Sequence, residues 1–422
     1  MEIVFPICAG LDIHKKFLIA CLRVLGPNGQ IEKQTRRFST MTRDLEALAA
    51  WLLEQGCTHV AMESTGVYWQ PVYTILEGRV TIFLVNAQHV KHVPGRKTDI
   101  KDAEWLAQLM QHGLLRPSFI PPREQRELRD LVRYPQTTVE DRTRVVNRIQ
   151  KVLEDANLKL AAVVTDIQGV SAQEILRTLV GAEQDPPTLA ALARGKLLKK
   201  RTELEQALVG RMREHHRFLL AELLTHLDFL DGKVATLEAR IEDLVAQMPA
   251  FREAAERLDS IPGVDRQTAV LIVAEIGVEM ERFPSDQHLA AWAGMAPGQN
   301  ETGGKQRSGK TRKGNRYLKR ALVQAAHGAA HKKGSYLKAL YQRLASRRGK
   351  QRAAVAVGRT ILQIAYHLIA RGSTYEDLGG DYFDRFNRER TTKRLVQRLE
   401  ALGFVVGLTE QVSEVPAVMS AS

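Results

Sequence analysis

Four carboxylates are the first residues in this chain whose types and spacing could do chemistry. Asp99 and Asp102 sit close together in "PGRKTDIKDAEWLAQL", where basic residues give way to an apolar-periodic stretch. On a helix that spacing holds the two Cβ atoms roughly 5–6 Å apart on one face. A plain helix start also accounts for them, with Asp99 as cap and Asp102 in a first turn favoured by the helix dipole. Asp12, in "GLDIHKK", and Glu63, in "VAMEST", each close an apolar run that reads as a strand. Brought together, the four would repel and partly protonate unless cations neutralised them, and an oxygen-only donor set suits Mg²⁺ or Mn²⁺ rather than zinc. Two such ions roughly 3.5–4 Å apart hold the attacking and leaving oxygens of a phosphodiester in line. Arg96, Lys97 and Lys101 beside the acids either draw a nucleic-acid backbone to an otherwise repulsive site or are solvated loop charges.

A second stretch, "GMAPGQNETGGKQRSGKTRKGNRYLKRAL" at 294–322, has a different chemistry. Between Thr302 and Tyr375 stand 18 Lys or Arg and no Asp or Glu, a one-signed field that calls for a polyanion. Lys305, Arg307, Lys310, Arg312, Lys313 and Arg316 are the expected phosphate contacts. Gly303, Gly304, Gly309 and Gly314 leave a loop whose backbone can approach a ligand. The hydroxyls of Thr302, Ser308 and Thr311 could each attack phosphorus if activated, and the residues alone do not choose among them. Tyr317, Tyr336 and Tyr341 are either base-stacking platforms or packing residues. In "LDSIPGVDRQTAVLIVAEIG" the Pro262-Gly263-Val264 turn reads as a helix-hairpin-helix that offers the N–H groups around Gly263 to a phosphate, or as a plain turn between helices.

The elements that must position these residues follow from periodicity. "VFPICAGLDI", "FLIACLRVL" and "QIEKQTRRFST" predict a three-strand meander with the third strand at an edge. A helix capped by Thr42, the strand "THVAME", the helix "GVYWQPVYTILEG", the strand "VTIFLVN" and a helix from Asp99 to Gly113 complete the order βββαβαβα. That is the order of an α/β, RNase H-like (RuvC-like) mixed sheet with helices on both faces. The Pro-rich "RPSFIPPRE" ends this first domain, expected over 1–115. A helical region over 116–250 follows, with Pro135 expected to kink or break its first helix after Tyr134. Leu223, Leu227, Leu230, Val234, Leu237, Ile241, Leu244 and Met248 form an a/d seam. Two readings stand for it, an intermolecular coiled coil and an intrachain helical hairpin. The helix-hairpin-helix and basic segment occupy 251–375, and 376–422 reads as a weakly ordered tail.

Composition agrees with this division. The chain has 422 residues, enough for two or three domains, and 61 Lys+Arg against 48 Asp+Glu give a formal charge of +13, which favours nucleic acid over a small neutral metabolite. Cys8, Cys21 and Cys57 are widely spaced and read as buried small residues in a reducing compartment. The N-terminus lacks the charge and apolar run of a signal peptide, so a soluble, cytoplasmic protein is expected.

The blocks "GLDIHKK", "MESTGVYWQPV", "GRKTDIKDAEWLAQL", "IPGV" and "LAAWAGMAPGQNETGGKQRSGKTRKGNRYLKRAL", in that order, resemble the DEDD transposases of the insertion-sequence one-ten family, and especially its eleven-eleven subgroup. The resemblance spans residues 7 to about 371. It implies a metal-dependent recombinase in which Asp12, Glu63, Asp99 and Asp102 match the acidic tetrad. It also implies a C-terminal transposase domain whose serine joins covalently to DNA, a guide RNA transcribed from the element, and a homo-oligomer, dimer or tetramer, associated with the nucleoid. That serine falls in a Glu-Ser-Gly triplet, and this chain has Glu301-Thr302-Gly303. Threonine keeps the hydroxyl but adds a methyl group and stiffens χ1. Thr302 as a slower nucleophile is the favoured reading; Ser308 in its place and an impaired copy are the others. Outside the recombinase class stand a structure-selective nuclease of the Holliday-junction type, which needs the tetrad alone, and a nucleic-acid-binding relic that has lost its chemistry. An actin-like sugar kinase is set aside, because no second lobe with Gly-rich phosphate turns follows residue 116.

Overall fold

The apolar runs at the start of the chain become β1 (Ile7–Ile13), β2 (Phe17–Leu25) and β3 (Ile31–Ser39), and the later ones β4 (His59–Glu63) and β5 (Thr81–Val85). The computed structural model describes residues 2–64, 66–86, 99–181, 185–298, 301–303, 305–306 and 309–409, and at 99–101, 136, 301–302 and 305–306 the backbone alone. The five strands form one sheet in the order β3-β2-β1-β4-β5. β1, β2 and β3 are an antiparallel meander, and β4 and β5 run parallel to β1. β2 is buried along most of its length whereas β3 is largely exposed, which is why β3 can carry Glu32, Lys33, Arg36 and Arg37 at the sheet edge.

Helices cover both faces. α1 (Thr42–Glu54) and α2 (Trp69–Leu76) set Leu45, Leu48, Leu52 and Leu76 against Leu11, Leu18, Leu22, Val60 and Met62. Each such side chain contributes about 1.5–3 kcal/mol by leaving water. On the other face α3 (Asp99–Gln111) packs Leu106 and Met110 on Cys8 and Ala61, and Ala103 and Ala107 on Ile19 and Cys21. The approach depends on Gly10: a Cβ there would lie 2.3 Å from the Ala103 carbonyl oxygen and 2.4 Å from the Ala107 nitrogen. All three cysteines are buried, as composition suggests. The expected cap at Thr42 is corrected. Met41 is the N-cap, and its carbonyl accepts from Leu45 N, so Thr42 is already the first helical residue.

Residues 1–122 form one unit, and the chain from Arg123 onward a second. In the second, α4 (Arg123–Asp155) packs along α9 (Glu214–Ala246). Much of the apolar seam of α9 is filled within the chain: Leu227 and Leu230 share a core with Val145, Ile149 and Leu153, and Ile241 shares another with Leu128 and Val132. The hairpin reading therefore describes this seam. Between the two long helices lie α5 (Leu160–Val163), α6 (Val170–Val180), α7 (Pro186–Ala191) and α8 (Arg201–Ala207). Pro135 does not break α4, which runs through it as one helix. Proline removes one intrahelical donor, a loss a helix tolerates when neighbours hold it on its flanks, and α9 and α11 (Arg266–Ile276) do so here.

α10 (Pro249–Asp259), α11, α12 (Asp286–Trp292), α13 (Arg316–His331), α14 (Tyr336–Arg348) and α15 (Lys350–Arg371) build the remaining core. Because Leu128, Val132, Ile241 and Val245 belong to it, α4 and α9 cross the boundary expected at residue 250. α15 is long and apolar enough to span a bilayer by length and composition, yet Val357, Ile361, Leu362 and Ala365 are buried in this core. Within the tail expected over 376–422, α16 (Tyr382–Phe386) and α17 (Arg388–Ala401) are helical, and 410–422 lie outside the described residues. α16 is fastened by Phe383 stacked on Tyr336, with ring centroids 5.4 Å apart.

Candidate active site

The acidic half rests on strand register. β1 and β4 are parallel with Leu11 opposite Met62, and both side chains belong to the core under α1 and α2. Side chains alternate along a strand, so the next residues, Asp12 and Glu63, fall at adjacent strand ends on the opposite face, the one α3 covers. Cys8, Gly10 and Ala61 mark that face by their contacts with α3. α3 runs back along β1, since Cys8 Sγ donates to the Ala107 carbonyl at 3.5 Å while Gly10 meets both Ala103 and Ala107. The first turn of α3, which holds Asp99 in its backbone and the half-buried Asp102, thus lies toward the Asp12 end of the strand. Asp12, with its side chain 19% exposed, shares a 3.0 Å hydrogen bond between Oδ2 and Nε2 of His14. The sequence reading gave His14 no role. His14 stands just past the end of β1, two residues from Asp12. Arg96 and Lys97 lie outside the described residues, and Lys101 is placed by its backbone on α3.

In the second unit, the segment that carries Thr302 is a hairpin rather than a loose loop. Glu301 pairs with Gln306 and Thr302 with Lys305, antiparallel. Thr302 therefore stands beside the tip, just before Gly303, whose φ of 59° is the left-handed conformation that glycine adopts without strain. Ser308 and Arg307 lie outside the described residues. The feet of the hairpin are closed by backbone contact. A Cβ on Gly314 would come within 2.4 Å of Gly294 N, and Gly298 N donates to the Lys310 carbonyl at 3.2 Å. Lys319 on α13 donates to Thr311 Oγ1 at 2.6 Å and to the Gly294 carbonyl at 3.3 Å, which gives the Thr311 hydroxyl an anchoring task. Lys310, Arg312, Lys313 and Arg316 are exposed.

Beneath the hairpin lies a buried charge. Glu275 on α11 is 0% exposed. It accepts a bidentate pair from Arg133 Nε and Nη2 at 2.6 and 2.7 Å, and a third bond from Asn315 Nδ2 at 2.6 Å. Arg129 adds its charge at 3.7 Å and donates to the Ala274 and Glu275 carbonyls. The bonds to Glu275 raise the pKa of Arg133, whereas burial lowers that of Arg129; both stay cationic at any physiological pH. Asn315 also caps α13, its Oδ1 accepting from Tyr317 N and Leu318 N at 3.1 Å. One amide thus joins the last residues of the basic loop to α11 and, through Glu275, to α4.

Gly263 has a packing task as well. A Cβ on it would lie 2.2 Å from the Ala325 carbonyl oxygen, so the turn seats directly on α13. The start of α11 is capped by Asp265, whose carboxylate accepts from Thr268 N at 2.8 Å. Tyr336 is stacked on Phe383 and Tyr341 packs beside His327, so both are packing residues. Tyr317 lines an open cavity.

Two family profiles match the chain, one described as a transposase over residues 9–158 and one as a transposase of the IS116/IS110/IS902 family over 255–342. Together they cover more than half of it. The chain belongs to the IS110 family of transposases. The IS110 match over 9–158 includes Asp12, Glu63, Asp99 and Asp102, and that over 255–342 includes Gly263, Thr302 and the basic hairpin. Among similar proteins is the transposase for insertion sequence element IS1111A of Coxiella burnetii, 29% identical over 76% of this chain and 80% of that protein. A probable family 20 transposase of Pseudomonas aeruginosa is 27% identical over 75% and 85%. A pilin gene-inverting protein of Moraxella bovis is 23% identical over 48% of this chain and 66% of its own length. As an IS110-family transposase the protein is consistent with a DNA-cleaving enzyme. Arg133, Glu275 and Asn315 have ordinary local contexts in the sequence, and contacts distant in sequence give them their roles.

Proposed function

We propose that this transposase cleaves and exchanges DNA strands with two cooperating chemistries, an RNase H-like carboxylate centre and a hydroxyl nucleophile, directed by a guide RNA from its own element. The observation that carries the reading is the placement of Asp12 and Glu63 at neighbouring parallel strand ends, on the face where α3 begins with Asp99 and Asp102. The donor set fits hard divalent cations, being oxygen only, while the three cysteines are packed in cores. Asp12, Glu63, Asp99 and Asp102 would hold Mg²⁺ or Mn²⁺, which when bound neutralises charge on the phosphodiester. His14 orients the Asp12 carboxylate. Thr302, presented at the hairpin tip, attacks phosphorus. A Thr O–P bond forms, the P–O bond to the leaving strand breaks, and the hydroxyl proton passes in net to the leaving oxygen. Reversal with a second strand end releases the enzyme and joins DNA. Lys305, Arg307, Lys310, Arg312, Lys313 and Arg316 hold backbone phosphates, and the formal charge of +13 suits a protein that carries RNA and DNA together. Membership of the eleven-eleven subgroup, a dimer or tetramer in which subunits share sites, and a cytoplasmic, nucleoid-associated location belong to the same reading.

The test is Thr302→Ala in the full chain. Strand exchange and the covalent protein–DNA adduct are expected to vanish with RNA and DNA binding retained; full recombination by that variant, with loss in Ser308→Ala, would move the role to Ser308. Calorimetry with nucleic acid present should detect Mg²⁺ or Mn²⁺ uptake that Asp12→Asn removes. A second reading is favoured by the self-contained unit over residues 1–122, a Holliday-junction-type nuclease. Metal-dependent hydrolysis of branched DNA with no adduct in the wild-type protein would select it, and metal-independent binding without cleavage would select the relic.

A further inference from the structure

We propose that the cavity at the feet of the hairpin binds one unpaired base of the DNA strand being exchanged. This rests on the strand-exchange reading and adds a binding subsite to it. The cavity, about 420 Å³, is lined by Arg133, Trp292, Gly314, Asn315, Arg316 and Tyr317. Two aromatic rings, two guanidiniums and an amide line it beside the Gly314 backbone, and no acid is among them. The nearest carboxylate in its network, Glu275, is fully buried and neutralised by Arg133.

Trp292 decides the class of ligand. The residue is 44% exposed even with the Phe283 ring centroid 5.7 Å from its own. An exposed tryptophan beside arginines is what an unpaired base needs for stacking. Across the cavity Tyr317 carries the Arg316 and Arg133 guanidiniums 4.7 and 5.0 Å from its ring centre, so the second wall is already stiffened and cationic. The Arg133–Glu275–Asn315 bonds fix that wall to α4 and α11, so the pocket stands ready before any ligand arrives.

DNA rather than RNA is the occupant because of the element the cavity belongs to. Its lining residues flank both feet of the hairpin whose tip carries Thr302. From Gly294 to Thr302 the chain can span at most about 29 Å. A strand with its scissile phosphate at the tip therefore passes the feet within a few nucleotides, inside the one-signed field of residues 302–375. An unpaired base held there would keep the strand parted from its complement before cleavage as well as while its end is covalently bound.

The experiment uses the full chain with DNA carrying 5-iodouracil at successive positions beside the cleavage point, photocrosslinks being mapped by peptide mass. A crosslink to Trp292 or Tyr317 from an unpaired position is expected. Strand exchange by Trp292→Ala should fall about tenfold or more through loss of one stacked base, with unchanged melting temperature, and Trp292→Phe should restore most of it. No crosslink from any DNA position, crosslinks from labelled RNA alone, or wild-type exchange by Trp292→Ala would overturn the proposal. The crosslink needs no covalent step by the protein. Thr302→Ala should therefore still give it, and loss of the adduct with the crosslink intact separates failure of the nucleophile from failure of the pocket.

Discussion

At the scale of single residues, the second unit depends on a charge that water never reaches. Removing one partner of a buried ion pair leaves the other uncompensated. Glu275→Gln should cost about 3 kcal/mol of stability in denaturant titration, because Arg133 and Arg129 would keep their charge with no carboxylate beside them. Asn315→Ala removes both a helix cap and a donor to Glu275, and a cap alone is worth about 1 kcal/mol. The expected result is a lower denaturation midpoint together with faster amide exchange at the feet of the hairpin. At the tip, Thr302→Ser keeps the hydroxyl and frees χ1, so covalent adduct formation should become several-fold faster; equal or slower formation would show that the methyl group is not the hindrance.

At the scale of elements, α3 lies against β1 only because Gly10 has no side chain. Gly10→Ala would set a Cβ 2.3 Å from a backbone oxygen of α3, so helix or strand must move. Loss of divalent-ion uptake is expected even though no carboxylate has been changed, with circular dichroism still reporting the sheet. The strands and α3 were legible in the sequence because burial of one or both faces writes a period into the residues. That Asp12 and Glu63 each close a strand could be read from the sequence, whereas the register that sets Leu11 opposite Met62 comes from the structure. Other features had no local signature. Glu275 looks like an ordinary charge interrupting an apolar helix, and its partners Arg133 and Asn315 lie 142 and 40 positions away. Pro135 reads as a break because local rules do not know that α9 and α11 flank it. The end of the chain looked like a tail since its polarity hides the few aromatic residues, Tyr382 and Phe383, that fasten α16.

At the scale of the whole molecule, the N-terminal unit should be sensitive to alkali. Burial pushes the Cys8 and Cys57 thiols from 9.0 up to about 12, and raises Cys21 as well. A group whose folded pKa is raised contributes stability that is complete below its unfolded pKa and is lost as pH climbs toward the folded one. The unit is therefore expected to hold its denaturation midpoint up to about pH 9 and lose it progressively toward pH 12, and Cys8→Ala with Cys57→Ala should flatten that decline. Alkylation of these thiols at pH 8 should proceed only as fast as the unit unfolds.

The long pair formed by α4 and α9 has a mechanical consequence. Each is a helix of 33 residues, and at a rise of 1.5 Å per residue that is a beam of roughly 50 Å. One end is clamped in the core beneath the hydroxyl hairpin; the other carries the small helices α5 to α8, stitched across their base where Arg211 N meets the Ala156 carbonyl at 2.8 Å. Such a beam works as a lever: a tilt of ten degrees at the clamp sweeps the far end through about 9 Å, and whatever grips that end can, by the same ratio, nudge the chemistry by fractions of an ångström.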